Sequence, residues 1–454
     1  MKKSLLFLLL INCFFLKAQS LDQNFNPQDI GFYNDENYSH RSVRKTVIQP
    51  DGKILLLGNF TTYQTTYQTT YENKLVRLNS DGTLDNDFNI STADTNIGNV
   101  VLQEDGKIIV IGNFLKFNGE DIPYLVRLHT NGMIDRSFTP SGLNGGISCA
   151  VVNNGKIIIG GNFTNFNGHT FIARLNSNGS TDETFNSNLF NQGVSVISNY
   201  PGNKYIIWSY STNSFVRLNN DGSLDNTFGN FRFGGYLNDI KITNDNKIYA
   251  VGSFSTYNSI KRINIARLNA DGSLDTSFNP QNGTDTTITT VSVLKDNSVM
   301  IGGFFTKYNS VNRKYIAKIR ADGTLDNDFN VTELPNSYIY EAKVLDDNSF
   351  IINGDFDLIS NSNRKNIAKY NYQFLNTNED VKSTFSIYPN PFTDRINFSD
   401  PLSNIEIHDF SGRKVYSVST QTNNLNIKNL NKGVYILSGV NKEGIIKSYK
   451  IEKK

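Results

Sequence analysis

Reactive side chains are scarce in this chain: 2 cysteines, 1 tryptophan, 3 methionines and 4 histidines among 454 residues. Cys13 lies in an N-terminal apolar leader, which leaves Cys149 alone and excludes an internal disulfide in an exported protein. Cys149 sits in Ile147-Ser148-Cys149-Ala150-Val151, a run of ordinary strand residues rather than a nucleophile motif. His40, His129, His169 and His408 belong to no metal-ligand or nucleophile spacing. There is no phosphate-cradling glycine loop, and no cofactor or metal is expected. Charge of one sign is also lacking. The formal net charge is +2, with no concentrated basic face to hold nucleic acid. Helical periodicity is missing throughout, and no stretch of the mature chain is long and apolar enough to span a bilayer.

Asparagine, threonine, serine and glycine are abundant instead, as in turn-rich β proteins, and 38% hydrophobic content is sufficient for cores. Residues 1–18 read as a signal peptide: Lys2 and Lys3, then an apolar run from Leu5 to Phe15, then Ala18 before a cut ahead of Gln19. Asn12 precedes Cys13 where a lipoprotein signal wants a small residue.

A phrase then recurs. Its turns carry Gly52, Gly106, Gly155, Asn203, Asn246, Asn297 and Asn348 at their second position, 43 to 54 residues apart. An apolar run such as Ile108-Ile109-Val110-Ile111 follows each turn, too continuous for a strand with one wet face. Arg-Leu-Asn, a second turn and Leu-Asp-x-x-Phe complete the unit. Asp-Gly favours positive φ and so a two-residue hairpin. Four short strands at this period predict the blade of a β-propeller over residues 20–375. The seventh copy loses its Leu-Asp-x-x-Phe, and Leu21-Asp22-Gln23-Asn24-Phe25 supplies it at the front. The expected fold is therefore all-β: a seven-bladed propeller closed by the N-terminal strand and leaving no open sheet edge.

A cation (Arg77, Arg127, Arg174, Arg217, Arg267, Lys318) precedes an Asp (Asp85, Asp135, Asp182, Asp225, Asp275, Asp326) by eight residues in six copies. Lys369 and Asp22 are the split seventh pair. Because the pattern keeps the symmetry, it reads as scaffold. The Asp-Gly-x-Leu-Asp string lacks the alternating ligand spacing of a calcium loop. Departures from symmetry are where binding is expected: Tyr63, Tyr67 and Tyr71 in a lengthened loop of the first copy, and Trp208 and Tyr210 in the fourth. Through Asp-Gly-Lys-Ile, Gly-Asn-Phe and Arg-Leu-Asn-x-Asp-Gly-x-Leu-Asp-x-x-Phe, the repeat resembles the delta-60 family of β-propeller-like repeats. That resemblance implies no reaction and no catalytic residue.

Residues 376–384 are polar and read as a linker. Seven short strand candidates in residues 385–454 suggest a small β-sandwich. Tyr388-Pro389-Asn390-Pro391-Phe392, then Leu430-Asn431-Lys432-Gly433-Val434-Tyr435 and a terminal Lys453-Lys454, resemble a type A sorting domain of the type IX secretion system. The resemblance implies translocation across the outer membrane, with the type IX machinery and a sortase as partners. The preferred function is a non-catalytic, monomeric surface or secreted module that binds a glycan or a surface protein. A polysaccharide hydrolase or lyase with its site in the propeller channel, and a structural surface-layer or matrix protein, are the alternatives.

Overall fold

The computed structural model describes all residues except 1–16, 27–31, 34–41, 60, 63–72, 211–212, 332, 346–348, 361, 375–386, 410–412 and 441–445. Two compact units emerge, 1–375 and 376–454. Among the described residues both consist of strands and turns. Most of the signal segment, the linker and the Tyr63, Tyr67 and Tyr71 loop lie outside these residues.

Each repeat makes an antiparallel sheet whose middle strand is the apolar run. In the second repeat Ile108–Gly112 pairs on one side with Ile97–Leu102 and on the other with Leu125–Leu128. All five residues of Ile108–Gly112 are buried, which is why that run is continuous rather than alternating. The leading strands are Ser42–Ile48, Ile97–Leu102, Ile147–Asn153, Val196–Tyr200, Phe233–Ile242, Ile288–Val293 and Ile339–Val344. Each neighbours the next in that order, and Ile339–Val344 neighbours Ser42–Ile48. They surround a common lumen. Lys17–Leu21 pairs with Ile367–Phe374 of the last repeat, and Phe25 is buried with Val43, Ile54 and Ile351 from the first and last repeats.

Two local expectations change. In six repeats the Leu-Asp segment makes only a single bridge to the third strand, such as Leu128 to Ile134, whereas Lys17–Leu21 pairs over five residues with the last repeat. Asp135 explains this: its carboxylate accepts the Ser137 N–H at 3.0 Å and its carbonyl accepts the Phe138 N–H at 3.2 Å, so the chain curls away from the ladder. The first turns also differ from a two-residue hairpin. That form occurs at Asn154-Gly155, where φ is 49° and 70°. At Asp51-Gly52 the Gly52 N–H donates back to the Gln49 carbonyl at 2.9 Å and only Gly52 has positive φ, so three residues make the loop.

Among the described residues the second unit has six strands rather than seven short ones. Two candidates merge into Arg395–His408, which pairs with Ile387–Tyr388 and Thr422–Asn426 through its first half. Its second half pairs with Lys414–Val418 and Gly433–Val440. Ile396, Phe398, Ile405, Leu425, Leu437 and Ile451 fill the core it shares.

Candidate functional site

The symmetric cations and carboxylates form a latch between repeats. Arg127 Nε lies 2.9 Å from Asp135 Oδ2, and Lys107 from the preceding turn reaches the same oxygen at 3.3 Å. The other edge of the guanidinium donates to the Ser177 carbonyl in the next repeat, and its flat face covers the Phe138 ring at 4.7 Å. Arg77, Arg174, Arg217 and Arg267 repeat the arrangement, with Arg267 Nη1 2.6 Å from the Ala321 carbonyl. The phenylalanine also touches the next repeat: a Cβ on Gly132 would lie 2.9 Å from the Phe88 ring, and Gly132 has a φ of 85°. Only glycine satisfies both demands at that turn. Burial alone would raise the Asp135 pKa. Hydrogen bonds from Ser137 and Lys107 and the charge of Arg127 outweigh it and hold the carboxyl far below its usual value. The sixth and seventh repeats depart together, with Lys318 and Lys369 for arginine and Ser298 and Ser349 for the turn lysine.

The lumen obeys no such repeat. Opposite the same residue of the middle strand stand Lys45, Asn99, Cys149, Val196, Asp239, Thr290 and Glu341, and Lys241 and Lys343 follow two residues after the acids. Register shifts place Lys45, Asp239 and Glu341 at bulges in their strands. Glu341 lies 3.2 Å from Lys45 and 3.4 Å from Lys343, and accepts the Thr46 N–H at 2.6 Å. Asp239 lies 2.6 Å from Lys241 and accepts the Val291 N–H of the next repeat at 3.1 Å. Besides Lys241, the charges of Lys343 and Lys45 from the seventh and first repeats act on the fifth-repeat carboxylate of Asp239. Burial would raise the pKa of both acids, but the surrounding lysines hold both below their ordinary values. Lys241 is pushed down by burial despite Asp239.

Between the residue after a middle strand and the early part of the next leading strand, aromatic pairs cross two junctions. Tyr210 of the fourth repeat stacks on Tyr236 of the fifth with ring centroids 4.1 Å apart and planes 14° apart, and their hydroxyls are hydrogen bonded. Phe304 of the sixth meets Tyr338 of the seventh at 4.8 Å. Tyr210, Tyr236 and Tyr338 are 46%, 50% and 44% exposed. Trp208 is different: it is 2% exposed, packed in the core with Phe215 and Leu237. It occupies the slot of Ile111 and Gly160 at the end of a buried strand, so it offers no exposed platform. Sequence reading missed Tyr236 and Tyr338, both ten residues before the turn position, and missed the charged lumen.

Other places offer less chemistry. A cleft of about 360 Å³ lies beside Ile122, Pro123, Phe138 and Leu143, and its Asp135 is already committed to the latch. Burial pushes the Cys149 thiol well above its ordinary pKa, the reverse of an activated nucleophile. His129 lies 3.9 Å from Asp135, and His169 lies 3.7 Å from Glu183. Among the described residues no group of metal-ligating side chains could hold an ion.

In the C-terminal unit the motif residues gather on the final strand. The Asn390 amide donates to the Lys450 carbonyl at 3.0 Å and accepts the Glu452 N–H at 2.9 Å. Lys453 is buried, with Nζ donating to the carbonyls of Ile427 at 3.0 Å and Lys428 at 2.6 Å. The Tyr435 hydroxyl donates to the Asn431 carbonyl at 2.7 Å, and Gly433 pairs with Lys453. Tyr388, Pro389, Pro391 and Lys454 are exposed.

A family described as "Domain of unknown function (DUF5122) beta-propeller" matches residues 49–88, 103–138, 153–185, 206–228, 243–278 and 294–329. A second, "Secretion system C-terminal sorting domain", matches 386–453. That domain implies interaction with type IX secretion machinery and export to the cell surface or beyond. No curated protein matches the chain. Among solved structures, virginiamycin B lyase from Staphylococcus aureus is 14% identical, covering 75% of this chain and 98% of that one, with a TM-score of 0.46. YCF48 from Cyanidioschyzon merolae is 12% identical over 75% of this chain and 98% of its own, at 0.41. The extracellular domain of the two-component system BT4673 from B. thetaiotaomicron is 11% identical over 96% of this chain and 59% of its own, at 0.46. Nothing about ligand or activity is carried over from proteins this distant. No helix among the described residues is long and apolar enough to cross a membrane.

Proposed function

We propose that this chain, which carries DUF5122 β-propeller repeats and a secretion-system C-terminal sorting domain, is an exported, non-catalytic binding module whose ligand docks at the lumen mouth. The ring is a monomer of seven blades, the last completed by the N-terminal strand after a leader is removed ahead of Gln19. Pairing of Gln19, Ser20 and Leu21 with Tyr372, Asn371 and Tyr370 supports that closure. A sortase removes the C-terminal unit at the cell surface.

The observation that carries the binding role is the breakdown of symmetry in one place. Exposed Tyr236 and Tyr338 come three residues before Asp239 and Glu341 on the leading strands that also carry Lys241 and Lys343, and Tyr210 stacks on Tyr236. Both acids are held ionised by lysines and by backbone N–H groups, so neither is prepared to donate a proton near neutral pH. A polysaccharide hydrolase or lyase is the second reading, favoured by two carboxylates converging in one lumen.

The test is a glycan and surface-protein array probed with the mature chain, followed by turnover assays on each hit. Saturable binding lost in Tyr236→Ala, without turnover, supports the module. Turnover abolished by Glu341→Gln supports the second reading and overturns the first. An array with no saturable ligand also overturns the binding role.

A further inference from the structure

We infer that the ligand is an acidic oligosaccharide, whose sugar ring lies on the Tyr210–Tyr236 platform while its carboxylate or sulfate reaches the lumen lysines; the assignment presupposes the binding role above.

The charge argument comes first. Lys45, Lys241 and Lys343 face two carboxylates, Asp239 and Glu341, leaving one positive charge in excess within the lumen. Arg44, exposed on the first leading strand and 3.4 Å from Asn96 Oδ1, adds a further cation. The two acids are also committed to backbone donors of neighbouring repeats, so they hold the strands as well as the lysines. Burial already disfavours the ammonium of Lys241, and an incoming anion would relieve that penalty.

Shape selects among anions. Tyr236 precedes Asp239 by three residues on one strand, a rise of about 10 Å, and Tyr338 precedes Glu341 by the same step. An occupant must therefore place a flat apolar face at the rim and an anionic group roughly two sugar widths deep or less. The rim beside the stack is hydroxylated: Ser253 is opposite Tyr236 in register, and it and Ser255 are exposed. A peptide anchored by side chains would need an apolar pocket, yet Trp208 and Leu237 below the stack are fully packed. Flat aromatic faces with hydroxyls alongside match the C–H face and hydroxyl edge of a pyranose.

The experiment is calorimetric titration of the mature full-length chain with a galacturonate tetramer, a neutral galactose tetramer and a hexaglutamate peptide. The tetra-acid is expected to bind at least tenfold more tightly than the neutral sugar and the peptide. Its affinity should fall at least tenfold in Tyr236→Ala and in Lys343→Met, and should weaken as salt rises. Lys343→Arg should retain binding, and an unchanged far-ultraviolet circular dichroism spectrum and cooperative melting check the fold of each variant. Equal binding of the neutral sugar, or tighter binding of the peptide, overturns the acidic-sugar assignment while leaving the binding role intact. Failure of all three probes overturns the assignment, and the array then decides the binding role separately.

Discussion

The latch and the lumen occupy the same repeats and draw on the same residue types, yet they use charge in opposite ways. At the latch each cation meets a carboxylate on its own repeat and a carbonyl on the next, and the geometry recurs from Arg77 to Arg267. In the lumen the charges come from the first, fifth and seventh repeats, and positions equivalent to them by strand register include Asn99, Cys149 and Val196. Repetition serves assembly, because every junction must solve the same packing problem. A ligand needs a surface unlike its neighbours, so departure from the repeat marks where selection can act on binding.

Breaking the latch should produce the largest effect. Asp135→Ala leaves Arg127 and Lys107 without their shared carboxylate, and about 3–5 kcal/mol of stability should be lost. Urea unfolding would show this as a lower midpoint at unchanged slope, and a loss under about 1 kcal/mol would remove the latch from the account. Acid should act on the same groups together. The folded pKa values of Asp85, Asp135, Asp182, Asp225 and Asp275 are depressed, so their contribution is fully present above the unfolded carboxylate value of about 4. It is lost progressively as pH falls below that value, and melting followed from pH 7 to pH 2 should stay level until about pH 4 and then drop.

Smaller changes sharpen the contrast. Arg127→Lys keeps the charge and loses the fork, at a cost of about 1–2 kcal/mol. Lys318→Arg, which introduces the fork into the sixth repeat, should raise stability by about 0.5–1 kcal/mol in the same unfolding assay. Tyr236→Ala, at an exposed rim position, should change stability by less than about 1 kcal/mol while abolishing most ligand affinity.

The sequence disclosed the latch because its spacing survives in six copies: eight residues separate Arg127 from Asp135, and a single bridge between Leu128 and Ile134 turns the chain back to join them. The role of Lys107 was equally open to view, since a turn lysine recurs wherever the partner cation is arginine. The lumen was hidden for a physical reason. Lys45, Asp239 and Glu341 lie at bulges, where the alternation that tells inward from outward residues breaks down. Trp208 misled in the other direction: aromatic character suggested a platform, whereas the position it fills belongs to the buried middle strand. In the sorting unit, Lys453 of the motif is buried and its Nζ donates to the Ile427 and Lys428 carbonyls, while Lys454 beside it is exposed.

The division between holding and binding is tested most directly by measuring unfolding midpoint and galacturonate-tetramer affinity side by side in Arg127→Lys and Tyr236→Ala. The account predicts crossed effects: Arg127→Lys lowers the midpoint and keeps the affinity, while Tyr236→Ala keeps the midpoint and loses at least tenfold in affinity. Wild-type affinity in Tyr236→Ala, or parallel loss of both properties in both variants, would contradict it.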